Sequence, residues 1–163
     1  MLQQIETAAA AGANGVVLGV LRPQDNRVDV DAMQVLASMA KAAGLRTTCH
    51  RAFDATPDAD EALGILIALG FDRVLTCGIP WGVKGTALDG VERLAATIRR
   101  SQRRIEIVLA GGISPANVGL VLARLPLAKG LVSVHAYSGA QANGQTTVDS
   151  VRTLVEATNR SLT

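Results

Sequence analysis

The sequence predicts an α/β fold of parallel strands with helices between them. Three observations carry this. Short apolar runs alternate with helix-patterned segments along the chain. The runs recur at an interval of about 29 residues, as expected of a repeated βα unit. Glycines stand where helices give way to strands, at Gly12, Gly44 and Gly70. At that interval the (β/α)8, or TIM, barrel fits better than a doubly wound sheet, because its units average about 31 residues. The 163 residues hold about five parallel strands and six helices, a single partial barrel domain over residues 1–163. Five strands do not close an eight-stranded barrel, whose size and shear depend on strand number.

The elements follow in order. An amphipathic helix runs from about Gln3 to Ala11 and stops at Gly12. The first strand is the run Val16–Leu21, ended by Pro23, although its valines would also suit a buried helix. Asp29 or Asp31 caps the second helix, and the second strand is Arg46–His50. Thr56, Pro57 and Asp58 open the third helix, which leads to the strand Arg73–Thr76. Arg99, Arg100, Arg103 and Arg104 cluster at a helix end, where cations complement the macrodipole. The fourth strand is Ile105–Ala110. Ser114 and Pro115 open another helix, and the fifth strand is Leu131–His135.

Composition narrows the function classes. An apolar share of 48% supports a core and excludes global disorder. Aromatic residues are few: Phe53, Phe71, Trp81 and Tyr137. Binding of single-stranded nucleic acid by aromatic stacking is therefore not expected. A formal charge of +2 gives no reason to expect a nucleic-acid or membrane partner. Two cysteines do not make a disulfide framework, so a reducing cytoplasm is the expected location. No apolar run reaches the ~18 residues of a membrane span. The first residues carry no basic group and do not read as a signal peptide.

In a barrel of this kind chemistry gathers at the C-terminal ends of the strands. Both histidines and both cysteines lie there: Cys49, His50, Cys77 and His135. If His50 faces the barrel axis, Cys49 faces the helices and reads as a small buried hydrophobe. Cys77, one residue past its strand, is a candidate for a ligand or reactive role. His50 suits acid–base work near neutral pH. Asp54 could orient it or hold a ligand hydroxyl, and Arg51 could pair with an anion. Alternatively, Arg51 and Asp54 pair with each other and fix the loop, and the histidines bond to loop carbonyls. Gly111, Gly112, Ser138 and Gly139 offer backbone N–H groups to an anion, or simply make tight turns. P-loop, HExxH and CxxC motifs are absent.

Four strings carry a family resemblance. They are Cys-His-Arg-Ala-Phe-Asp (49–54), Leu-Gly-Phe-Asp-Arg-Val-Leu-Thr-Cys-Gly (69–78), Leu-Ala-Gly-Gly-Ile (109–113) followed by Asn117, and Val-His-Ala-Tyr-Ser-Gly-Ala (134–140). Together they resemble the CutC family of copper homeostasis proteins. The resemblance implies a TIM-like barrel, a cytosolic location and Cu(I) binding. It also implies that the chain corresponds to the C-terminal two-thirds of the family fold, starting at the helix before its fourth strand. The family's early cysteine segments and its Arg-Pro-Arg motif have no counterpart here. Thiolate and imidazole suit Cu(I), so His50, Cys77 and His135 are the metal candidates.

Two functions are expected from this reading. One is copper homeostasis with Cu(I) binding. The other is an enzyme acting on a small anionic metabolite, sugar-derived or phosphate-bearing, with His50 as acid or base. The partner is then a metal ion or a small anion. Two open sheet edges further predict a homo-oligomer.

Overall fold

The computed structural model describes residues 1–162. Helix α1 (Leu2–Ala10) leads into β1 (Gly15–Leu18), α2 (Val30–Ala42), β2 (Arg46–Cys49), α3 (Ala59–Ala68) and β3 (Arg73–Thr76). Then follow α4 (Val91–Ser101), β4 (Glu106–Leu109), α5 (Val118–Leu122) and β5 (Leu131–Val134). A small hairpin, β6 (Gln141–Ala142) and β7 (Gln145–Thr146), precedes α6 (Val148–Arg160). The main sheet runs in chain order from β1 to β5, and every pairing in it is parallel. Sequential order without reversal is the pattern of a TIM-type barrel, not of a doubly wound sheet. The fold is thus α/β, with five parallel strands and six α-helices among the described residues.

Local chemistry accounts for most boundaries. Asp29 caps α2 by accepting the Ala32 N–H at 3.0 Å, and Asp58 caps α3 through Asp60 and Glu61. Gly12, Gly44 and Gly70 have left-handed φ of 81°, 72° and 73° where helices end. β1 is shorter than expected. Beyond Leu18 the chain folds back on itself, and Leu21 bridges Val28 in antiparallel fashion. The helix expected from Ser114-Pro115 starts only at Val118, because Asn117 is used differently. Its side chain accepts the Ser114 N–H at 2.9 Å and donates to the Gly112 carbonyl at 2.8 Å. The β6–β7 hairpin was not expected, yet Asn143-Gly144 is a strong hairpin-turn signal, and both residues take positive φ.

Alternation along the strands divides the sheet into two faces. Leu18, Cys49, Val74, Ile107 and Leu109 lie in the core with Met33, Leu66, Leu94 and Ile98 from the helices. The opposite face carries Val17, Arg46, Thr48, Arg73, Leu75, Glu106 and Val108, none of them fully buried. On it Arg73 pairs with Glu106 across β3 and β4 at 2.7 Å. Burial pushes the Glu106 carboxyl up, but hydrogen bonds from Ser133 and Arg73 outweigh this and hold it below its ordinary value. Strands β1 and β5 form the two edges. Among the described residues no helix is long and apolar enough to cross a membrane.

Candidate functional site

The end of β2 sends two neighbouring residues to opposite faces. Cys49 pairs with Leu18 and Val74 in the sheet and is 3% exposed on the helix side. Burial pushes its thiol up to about 12, as expected of a small core residue. His50 lies half-buried on the open side, against Gly19. A side chain at Gly19 would run into the imidazole, so glycine is what makes room for the ring.

His50 also starts a short 3₁₀ turn, Arg51–Ala55. Its Nδ1 accepts the Ala52 N–H at 3.1 Å. A neutral imidazole that accepts at Nδ1 carries its proton on Nε2, so the bond network assigns Nε2 as a donor.

Asp54 is the centre of the loop. Its carboxylate accepts from Arg51 Nε at 2.7 Å, from the Cys77 N–H at 3.0 Å and from the Thr76 hydroxyl. Its backbone carbonyl accepts the Trp81 N–H at 2.8 Å. One buried acid thus ties the loop after β2 to the loop after β3, and its desolvation is offset by these partners. The carboxylate serves Arg51 and the end of β3, which is the loop-fixing arrangement rather than the orientation of His50. Arg51 lies over the Trp81 ring, 5.3 Å from its centroid. Together His50, Arg51, Ala52, Ala55, Leu21, Leu75 and Trp81 line an open cavity of about 540 Å³. Other openings of similar size surround Gly44 and Arg46 at the opposite ends of the strands, away from the histidines.

The remaining candidates sit apart from this cavity. Cys77 is 1% exposed, with its sulfur against Gly111. Burial pushes this thiol up, and nearby Arg51 offsets only part of the effect. Gly111 has φ of 94°, and a Cβ there would collide with the Cys77 sulfur. Gly139 lies against the Ile113 carbonyl and the Ser114 backbone, so the last two strand-end loops touch. Gly112 has φ of 67°, and its carbonyl is held by Asn117. Ser138 is exposed at the start of a 3₁₀ turn. His135 is exposed, with its backbone N–H on the Leu109 carbonyl. Trp81 was not anticipated as a site residue. The one available signal was the only tryptophan of the chain, placed in a Pro-Trp-Gly loop just past a strand end.

These positions test the Cu(I) expectation. Among the described residues no group of three or more His, Cys, Asp or Glu is placed to hold a metal ion. A metal-bound histidine donates from its second ring nitrogen, whereas the second nitrogen of His50 accepts. Cys77 is 1% exposed with its sulfur packed against Gly111, and it does not line the His50 cavity. His50, Cys77 and His135 therefore do not fit a three-donor copper site.

The CutC family model matches residues 1–141. A curated relative from Sinorhizobium medicae, described as family protein CutC, is 44% identical over 129 residues, covering 79% of this chain and 50% of that protein. One from Vibrio campbellii with the same description is 40% identical over 122 residues, covering 75% and 47%. The chain spans about half the length of the curated relatives it matches. The crystal structure of CutC from Streptococcus agalactiae superposes with a TM-score of 0.70 at 27% identity, covering 81% of this chain and 61% of that one. A structure described as native KDPGal reaches 0.66 at 15% identity and shows the fold alone. By the family match and by these relatives, the chain belongs to the CutC family.

Proposed function

We propose that the chain serves in copper homeostasis in the cytoplasm, and that its own site takes a small anionic ligand beside His50 rather than Cu(I). Family membership supports the first part. The Streptococcus agalactiae relative is described as a proposed copper homeostasis protein. One observation carries the second part, the Ala52 N–H donated into His50 Nδ1. It leaves Nε2–H as a hydrogen-bond donor at a cavity that the Arg51 side chain also lines.

The chemistry follows from those two groups. Arg51 gives its Nε–H to Asp54 and keeps its terminal N–H groups for an anion. His50 hydrogen-bonds a ligand oxygen through its Nε2–H. Asp54 positions Arg51 and does not touch the ligand. The glycines Gly111, Gly112 and Gly139, with Ser138, are a weaker anion cradle, because neighbouring atoms already explain the glycines at 111 and 139.

Two titrations test this reading. In anaerobic Cu(I) titration against a competing chelator, the double variant His50→Ala, Cys77→Ser should bind no more weakly than the parent. In a thermal-shift screen of small anions, the parent should be stabilised and His50→Ala and Arg51→Ala should not respond. Copper affinity lost in the double variant, or no response to any anion, would overturn it.

The sheet edges support a second proposal, association of copies through β1 and β5. Val17 and Leu131 on these strands are 63% and 40% exposed, and an unpaired strand edge is a template for pairing. Light scattering should give dimers or larger species. A stable monomer contradicts it.

A further inference from the structure

We propose that Trp81 is the binding platform of the His50 cavity, and that the ligand is a small carboxylate with a flat apolar body rather than a polyhydroxylated one. The inference rests on the anion-site reading above and narrows it.

Trp81 does not fill the core. The residue is 63% exposed, and its main chain is anchored to the neighbouring loop. Its backbone N–H is held by the Asp54 carbonyl at 2.8 Å. Its ring lies under the Arg51 guanidinium, 5.3 Å from the centroid. Arg51 is fixed in turn by the 2.7 Å bond from its Nε to Asp54. A large aromatic ring and a cation thus stand together, with Asp54 anchoring both: its carboxylate holds Arg51 and its backbone carbonyl holds the Trp81 main chain. Such a pair costs little further ordering when a ligand arrives, which is the condition for using binding contacts efficiently.

The rest of the lining sets the ligand class. Besides Trp81 the cavity is bounded by Leu21, Ala52, Ala55 and Leu75, and its polar side chains are His50 and Arg51. A carboxylate has two oxygens, which the Arg51 terminal N–H groups and the His50 Nε2–H can take together. A ligand body rich in hydroxyls would shed water against apolar walls without gaining partners. A planar apolar body would instead cover the exposed indole face and the leucines. The cavity of about 540 Å³ leaves room for one small ring.

The test is calorimetric titration of the full chain with benzoate, glucuronate and inorganic phosphate. The proteins are the parent, Trp81→Leu and Tyr137→Leu. Tyr137 is a comparably exposed aromatic, 74% exposed, that does not line the cavity. Benzoate should bind saturably and more tightly than glucuronate or phosphate. Trp81→Leu should weaken benzoate about tenfold, with far-UV circular dichroism unchanged, and Tyr137→Leu should leave it as in the parent. Glucuronate binding as tightly as benzoate, or Trp81→Leu binding benzoate like the parent, overturns this proposal alone and leaves the anion site standing. Failure of all three anions to bind overturns both.

Discussion

The rim of β2 and β3 and the rim of β4 and β5 hold the same place in the βα repeat, yet they are built by different chemistry. At the first, a buried carboxylate gathers Arg51, Thr76 and Cys77, and an open cavity forms beside it. At the second, glycines let backbone approach backbone and sulfur, and Gly111 and Gly139 are pressed against Cys77 and Ile113. The sequence offers an anion contact at each rim, Arg51 at the first and the glycine-rich turns at the second. The difference teaches that a glycine-rich strand end is evidence of close packing first. A site needs open space and directed donors, and the β2–β3 rim has both.

Four substitutions or titrations can break or sharpen this contrast. The largest effect is expected at Asp54. Asp54→Ala should cost about 3 kcal/mol in urea denaturation, because it strands a half-buried guanidinium and the Cys77 N–H. A cost within the error of the measurement would mean that the two loops are not tied through this residue. Next is Gly139→Ala, which forces a Cβ into the Ile113 carbonyl and should cost about 2 kcal/mol. The same variant should bind small anions as the parent does. Lost anion affinity with intact stability would restore the second rim as a binding site.

The third test concerns the back-to-back pair at the end of β2. The Cys49 thiol ionises from 9.0 in its ordinary state but only near about 12 in the fold. The unfolded chain therefore releases this proton first as pH rises. Its contribution to stability is full below pH 9.0 and is lost as pH climbs toward about 12. The loss at pH 10 should be about 1 kcal/mol, and Cys49→Ala should remove that part of the pH slope. An unchanged slope would place Cys49 outside the core. The smallest effect is expected at Glu106. Its folded value lies below the ordinary 4.5, so its contribution is present above that value and lost as pH falls through the lowered one. For a pair this exposed the amount should stay under about 1 kcal/mol, and Glu106→Gln should flatten it.

Much of the frame was legible in the sequence. Strand starts expected near 16, 46, 73, 105 and 131 are found at 15, 46, 73, 106 and 131. Valine, isoleucine and leucine runs closed by left-handed glycines carry that information locally. The opposite facing of Cys49 and His50 was also legible, because strand alternation is local. What was not legible depended on distant partners. The Asp54 carboxylate finds Thr76 and Cys77 more than twenty residues away, and its carbonyl finds Trp81. The tautomer of His50 depends on where the Ala52 N–H points, which follows from the 3₁₀ turn and not from residue type. Gly111 could be read as a cradle or as a packing device, and only the position of the Cys77 sulfur decides.

The central claim is that His50 presents a hydrogen-bond donor, and not a lone pair, to the cavity. Long-range nitrogen–proton NMR correlation of the two histidine rings measures this directly, with His135→Gln assigning the signals. The account predicts a neutral His50 with its proton on Nε2, and an Nε2 signal that shifts when benzoate is added. A proton on Nδ1, or an Nε2 signal that responds to Cu(I) and not to benzoate, would contradict it.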